Sequence, residues 1–111
     1  MRLVIKERSN KTIIAAGSEG EKVQVFDGNW YFSPELVDME NLRITERTYT
    51  CPYKGVCYWI DLKSGDETKA QNVGWVYRNP KPGYEFIKDQ IAFYSRPTTG
   101  TVAEKSEEAI A

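Results

Sequence analysis

The chain is divided into short runs of β-branched and aromatic residues, and turn-forming residues interrupt each run before a helical period can develop. Residues of these types favour strands. Asp27-Gly28 separates the run 22–26 from Trp30-Tyr31-Phe32, and Asp-Gly between two such runs is a strong signal for a tight hairpin turn. The N-terminal third therefore predicts antiparallel strands over 2–7, 12–16, 22–26 and 30–32.

A second hairpin is predicted around CPYKG at 51–55, which separates a β-branched run at 42–50 from an apolar run at 56–62. Pro52 suits the first corner of a tight turn, and Gly55 suits its left-handed position. In this register Cys51 and Cys57 face opposite sides of the hairpin. The faces are mixed in polarity, which predicts either a bulge or burial of both faces.

The remaining segments complete a mainly β pattern. Ser33-Pro34-Glu35 is typical of a helix start, so one or two helical turns are expected over 34–40. Strands are expected at 72–77 and 90–96, and the two prolines between them predict a loop at 78–83.

A chain of 111 residues is long enough for one hydrophobic core. We expect residues 1–97 to form a single β domain. Residues 98–111 are small or charged and have no long apolar period, so we expect a mobile tail that contributes little to stability.

Charge and composition exclude several classes of function. The formal net charge is −1, with 15 Lys and Arg against 16 Asp and Glu, so nucleic acid is not expected as a partner. The sequence has no apolar run long enough for a signal peptide or a membrane span, which predicts a cytoplasmic protein without a membrane partner.

The chain contains no histidine. This excludes Ser-His and Cys-His nucleophile pairs and every histidine-containing metal site. Its two cysteines cannot complete a standard closed zinc site within one chain, so we expect neither zinc nor another cofactor.

Four motifs occur in order over about sixty residues: YFSPELV at 31–37, CPYKG at 51–55, GWVYRNPKP at 74–82 and IAFY at 91–94. On these motifs the chain resembles a family of small bacterial proteins catalogued as domain of unknown function 427, which also carries a nucleotidyltransferase-like label. The resemblance implies a β-tent fold, in which two antiparallel sheets meet at an angle around a pocket. It implies no reaction, and the sequence has neither a phosphate-binding glycine loop nor paired aspartates for magnesium.

Two residues of the CPYKG loop are candidates for chemistry. Cys51 is either an inert thiol that supports a tight loop or a thiolate activated by the nearby Lys54. Lys54 is either solvated at the loop tip or presents its charge to a bound carboxylate or phosphate. We assign neither as catalytic on the sequence alone.

The aromatic residues near this loop also admit two interpretations. They pack a core, or they line a pocket between the sheets for an organic ligand. The ligand-binding residues predicted on the second interpretation are Cys51, Tyr53, Lys54, Tyr58, Trp59, Trp75 and Tyr77.

Three hypotheses of function follow. The first is a module that binds a small polar or anionic organic ligand in the aromatic pocket near CPYKG. The second is an enzyme that uses Cys51 as nucleophile or Lys54 as general acid or electrostatic stabiliser. The third is a structural or protein-interaction module. A monomer or a homodimer fits each of them.

Overall fold

The computed structural model describes residues 1–107, which fold into nine strands arranged in two antiparallel sheets. No helix within these residues is long and apolar enough to cross a membrane. The strands are β1 (Arg2–Glu7), β2 (Ile13–Ser18), β3 (Val23–Phe26), β4 (Asn29–Phe32), β5 (Leu42–Cys51), β6 (Gly55–Ser64), β7 (Glu67–Tyr77), β8 (Ile91–Tyr94) and β9 (Thr101–Ser106). The predicted mainly β, two-sheet fold is confirmed.

The smaller sheet has three strands in the order β2-β1-β9. The predicted tail from residue 98 is wrong for residues 101–106, because β9 pairs with the whole length of β1 and Thr101 is fully buried. Its sequence lacks a long apolar run because an edge strand needs only one apolar face. Residues 108–111 of the predicted tail lie outside the described residues.

The larger sheet has six strands in the order β3-β4-β8-β7-β6-β5. Asp27 and Gly28 connect β3 to β4 with positive φ angles of 55° and 76°, as a type I′ turn requires. The predicted hairpin around CPYKG is also present and joins β5 to β6.

The predicted helical segment at 34–40 consists of two 3-10 turns, Pro34–Leu36 and Met39–Asn41. It is interrupted at Val37, which forms a bridge with Ala15 of β2. A third 3-10 turn, Glu85–Ile87, lies in the loop before β8. The first two turns attach the larger sheet to the smaller one, because the Asp38 N–H donates to the Ile14 carbonyl at 2.7 Å.

A packed hydrophobic core fills the space between the two sheets. The smaller sheet contributes Leu3, Ile5 and Ile14, and the larger sheet contributes residues such as Ile60 and Phe93. A second apolar cluster occupies the opposite face of the larger sheet, hereafter the outer face. The predicted location of the aromatic pocket between the sheets is therefore wrong, since close-packed apolar side chains fill that space.

Candidate functional site

Strand alternation brings the aromatic residues together on the outer face. Neighbouring residues of a strand point to opposite faces, and directly paired residues of adjacent strands share a face. Trp59 of β6 pairs with Trp75 of β7, and Cys57 pairs with Tyr77. The four side chains therefore occupy adjoining positions on the outer face.

These side chains line a pocket of about 190 Å³, hereafter the aromatic pocket, whose walls are Asn29, Tyr49, Lys54, Cys57, Trp59, Trp75, Tyr77 and Tyr94. Trp75 lies at the centre of the wall. Its ring packs edge-on against Trp59 and Tyr94, with ring centroids 6.1 and 4.9 Å apart. Its indole N–H donates to the Tyr31 hydroxyl at 3.3 Å, which fixes the orientation of the ring.

Two of the predicted pocket residues lie elsewhere. Tyr58 lies on the inner face of β6, where it packs against the core between the sheets. It cannot share a face with its neighbour Trp59, and strict alternation would have excluded one of the two. Tyr53, at the tip of the hairpin loop, is 72% exposed and does not line the aromatic pocket.

Four wall residues were not among the predicted ligand-binding residues, namely Asn29, Tyr49, Cys57 and Tyr94. Tyr49 pairs with Cys57 across the hairpin, so the correct register would have identified it. Asn29 pairs with Tyr94 on neighbouring strands β4 and β8, which are far apart in sequence. No local sequence signal places this pair beside the hairpin.

Lys54 lies in the wall of the aromatic pocket, with only 14% of its side chain exposed. Its Nζ is 2.6 Å from Asp27 Oδ2, and it lies 5.5 and 5.9 Å from the ring centroids of Phe26 and Tyr77. Burial lowers the pKa of Lys54, but the hydrogen bond to Asp27 and the charges of Asp27, Tyr31 and Cys51 together outweigh burial and leave the pKa raised. The group is therefore a permanent, fixed cation, which corrects the interpretation of a solvated loop-tip lysine.

The two cysteines share the outer face, contrary to prediction. Cys51 pairs directly with Gly55, so the turn between the strands is one residue shorter than expected. A shift of one residue moves every following side chain to the other face. Gly55 closes this turn with φ 110°, in the region that favours glycine.

The environments of the two thiols differ. Burial raises the pKa of the Cys51 thiol. The backbone N–H groups of Lys54 and Tyr53 and the charge of Lys54 lower this pKa by a larger amount together, so the net shift is downward. The Lys54 N–H lies 3.4 Å from the Cys51 sulfur. Burial raises the pKa of the Cys57 thiol, which is only 2% exposed.

Native-state alkylation should therefore select Cys51. A lowered pKa increases the thiolate fraction at neutral pH, and the thiolate is the reactive form. We expect iodoacetamide at pH 7 to modify Cys51 well before Cys57, measured by peptide mass mapping over time. Denatured protein is the control, in which both should react at similar rates. Equal rates in the native protein would contradict this assignment.

A second cavity of about 420 Å³ lies on the other side of Lys54, and its walls are Phe26, Asp27, Cys51, Tyr53, Lys54 and Tyr84. Lys54 thus separates two concave surfaces. Cys51 and Tyr53 belong to this second cavity and not to the aromatic pocket, so the seven predicted residues are divided between two cavities and the inner core.

The loop at 78–83 supports the CPYKG loop directly. The Lys81 backbone N–H donates to the Lys54 carbonyl at 2.9 Å, and Lys81 Nζ donates to the Pro52 carbonyl at 2.9 Å. Two of the four sequence motifs therefore meet at the pocket and hold the backbone of Lys54 in place.

The chemistry available at the site is limited. Burial raises the pKa of Tyr31 and Tyr77, so their hydroxyl groups stay neutral. Among residues 1–107, no group of three potential metal ligands converges. The site offers aromatic surfaces, neutral hydroxyls, one fixed ammonium and two thiols, a set suited to holding an organic molecule.

Comparison with solved structures shows the fold. The chain is similar to the crystal structure of the Mis18 "Yippee-like" domain, with a TM-score of 0.67 and 11% sequence identity. The match covers 97% of this chain and 100% of that one. No curated protein matches the chain.

Comparison with protein families identifies the relatives of the chain. The family described as domain of unknown function (DUF427) matches residues 10–104. The match includes all four motifs that indicated the resemblance, from Tyr31 to Tyr94, together with β2 and most of β9. The chain therefore belongs to the DUF427 family.

Proposed function

We propose that the protein binds a small organic molecule with a planar ring and a polar or anionic substituent in the aromatic pocket. The observation that carries the proposal is a cavity walled mainly by aromatic rings with one fixed ammonium in the wall. Apolar concave surfaces with a few fixed polar groups are typical of small-molecule sites. At about 190 Å³ the pocket suits a single small ring.

Lys54 is the polar anchor of the proposed site. An ammonium has three N–H donors, and Asp27 accepts from one of them within residues 1–107. The remaining donors are available to a carbonyl, hydroxyl or carboxylate oxygen of the ligand. Because Asp27 already balances the charge, we expect the anchor to discriminate only moderately between neutral and anionic acceptors.

The indole N–H signals of the three tryptophans test the proposal by NMR. Titration with benzoate or benzyl alcohol should shift the signals of Trp59 and Trp75, which line the pocket, and leave Trp30 unchanged in the core between the sheets. Lys54→Met retains the aliphatic stem and removes the ammonium, so we expect benzoate binding to weaken about three- to tenfold. Absence of selective shifts up to the solubility limit of both probes would refute the proposal.

An enzyme that uses Cys51 is the second candidate, and the lowered pKa of this thiol favours it. A nucleophile also needs a proton acceptor, and the chain has no histidine to supply one. The alkylation experiment described above therefore measures thiol reactivity, while turnover would need a separate assay. The third candidate, an interaction module, predicts no selective response to the probes.

The cellular setting forms part of the same proposal. Both cysteines are free and buried, which is compatible with a reducing compartment. We place the protein in the bacterial cytoplasm, as a monomer or homodimer that binds neither membranes nor nucleic acid.

A further inference from the structure

Each strand next to β6 has a bulge near Asp61, toward the end of the outer face opposite the CPYKG loop. On one side Ile44 pairs with Ile60 and Thr48 with Tyr58, so residues 45–47 of β5 lie opposite Trp59 alone. On the other side residues 71–73 of β7 lie opposite Asp61 alone. Bulges of this kind redirect side chains and open the surface of a sheet.

The Asp61 carboxylate connects the two bulges. Its side chain is 3% exposed, and Oδ1 accepts from Arg47 Nη2 in the first bulge. The same oxygen accepts from the Asn72 backbone N–H at 3.0 Å in the second bulge, where Asn72 has a φ of 57°. Arg47 and Asp61 therefore balance each other's charge.

A polar groove of about 540 Å³ lies over these bulges, and its walls are Arg43, Ile44, Thr45, Glu46, Arg47, Asp61, Thr68 and Gln71. Arg43 differs from Arg47 in its partners. Its Nη1 donates to the Thr68 hydroxyl at 3.0 Å and its Nη2 donates to the Asp66 carbonyl at 3.2 Å. Both acceptors are neutral, and no carboxylate of residues 1–107 forms an ion pair with Arg43.

The polar groove and the aromatic pocket are neighbours on the outer face. Trp59 lines the pocket and Asp61 lines the groove, and these residues alternate on the same face of β6. On β5, Tyr49 lines the pocket and Arg47 lines the groove, and the Arg47 guanidinium reaches the same face because it donates to Asp61. Alternate residues of a strand are about 7 Å apart, so the groove begins one side chain beyond the pocket.

We propose that Arg43 binds the carboxylate at the end of a tail on the ligand whose ring occupies the aromatic pocket. The inference rests on the proposed function and extends it to a ligand class, namely aryl compounds that carry a carboxylate about five single bonds from the ring. The Thr68 and Asp66 contacts fix the guanidinium before the ligand binds, and its remaining N–H groups suit a planar carboxylate. The groove suits a monoanion better than a phosphate dianion. Among residues 1–107, Arg43 is the only cation of the groove that has no carboxylate partner.

Glu46 is the other charged residue of the groove that has no ion-pair partner among residues 1–107. It is exposed, so water screens its charge more than that of a buried group. A ligand with a cationic tail would approach Glu46 instead of Arg43, and this alternative is an outcome of the experiment below.

The experiment compares three probes of equal length: 5-phenylpentanoate, 5-phenylpentan-1-ol and 5-phenylpentylamine. Binding to the full chain is measured from the Trp59 and Trp75 indole shifts at low salt. We expect the carboxylate to bind about three- to tenfold more tightly than the alcohol, and this preference to fall as salt is added. The Arg43 backbone amide should shift with the carboxylate and not with benzoate, which is too short to reach the groove.

Arg43→Gln should remove the preference for the carboxylate and leave the affinity for the alcohol unchanged. Arg2→Gln is the matched control, because it removes the same charge from an exposed position on the smaller sheet. Lys54→Met separates the two anchors, since it should weaken benzoate while preserving the preference of the longer probes for a carboxylate.

The possible failures are distinguishable. If the ring probes shift the pocket indoles but the wild-type protein binds the alcohol as tightly as the carboxylate, the Arg43 subsite is refuted and the proposed function stands. A preference for the amine would assign the tail to Glu46 and would also overturn the subsite. If no ring probe shifts these indoles, both proposals fail together. The comparison of probes uses the wild-type chain, so it tests the Arg43 subsite even if Arg43→Gln does not fold.

Discussion

Asp61→Ala is expected to lower the free energy of unfolding by about 3 kcal/mol, the largest effect that we predict for a single substitution. The substitution removes the acceptor shared by Arg47 and the Asn72 N–H, so both bulges lose their bond to Asp61, and the first bulge keeps only the Thr45 hydroxyl bond to the Trp59 carbonyl. The Asn72 N–H is then left without its partner, while Arg47, whose side chain is 44% exposed, recovers part of its hydration. Urea denaturation followed by far-UV circular dichroism measures the loss.

Two control variants test the origin of this effect. Asp61→Asn keeps an oxygen that can accept from the Asn72 N–H but loses the ion pair, so we expect an intermediate loss. Asp66→Ala removes an exposed carboxylate in the neighbouring turn and retains the backbone carbonyl that accepts from Arg43, so stability should change by less than about 0.5 kcal/mol. If Asp61→Ala and Asp66→Ala were equally mild, Asp61 would not hold the bulges.

Gly74→Ala is expected to destabilise the protein by about 2 to 3 kcal/mol. A Cβ at this position would overlap the Ala92 carbonyl oxygen of β8 and lie 3.3 Å from Phe93 Cδ1. The obstructing atom belongs to the backbone, so relief requires β7 and β8 to separate at the centre of the larger sheet. The thermal midpoint, followed by circular dichroism, should fall accordingly.

Gly20→Ala provides the matched control for this prediction. A Cβ at Gly20 would meet only the Ser18 carbonyl oxygen, at 3.9 Å, and the backbone there is not in the left-handed region. The change should leave the thermal midpoint almost unaffected or raise it slightly, because alanine restricts the unfolded chain. Similar thermal midpoints for the two variants would show that the close approach of β7 and β8 at Gly74 does not contribute to stability.

The hairpins were predictable from local sequence because each depends on a few adjacent residues. Asp27-Gly28 specified a turn with two positive φ angles, and the structure has both. The CPYKG hairpin was also correctly located, but its register was wrong by one residue, since proline and glycine are compatible with turns of more than one length. That single residue decides whether Cys57 faces the same side as Cys51.

Strand β9 was missed because its stability depends on β1 and not on its own composition. Only Thr101 of this strand is buried, and the charged residues that suggested a tail lie on its exposed positions. A strand formed by pairing with a partner about one hundred residues away in sequence has no local signature.

The sequence by itself determined the fold class, the family and half of the residues of the aromatic pocket, because turn chemistry and motif order are local properties. Only the tertiary structure decided which face the pocket occupies, that Asp27 holds Lys54 in its wall, and that Arg43 lies in a neighbouring groove. These features arise from contacts between strands distant in the chain. Such contacts depend on register and on which face the smaller sheet covers, and neither is encoded within one segment.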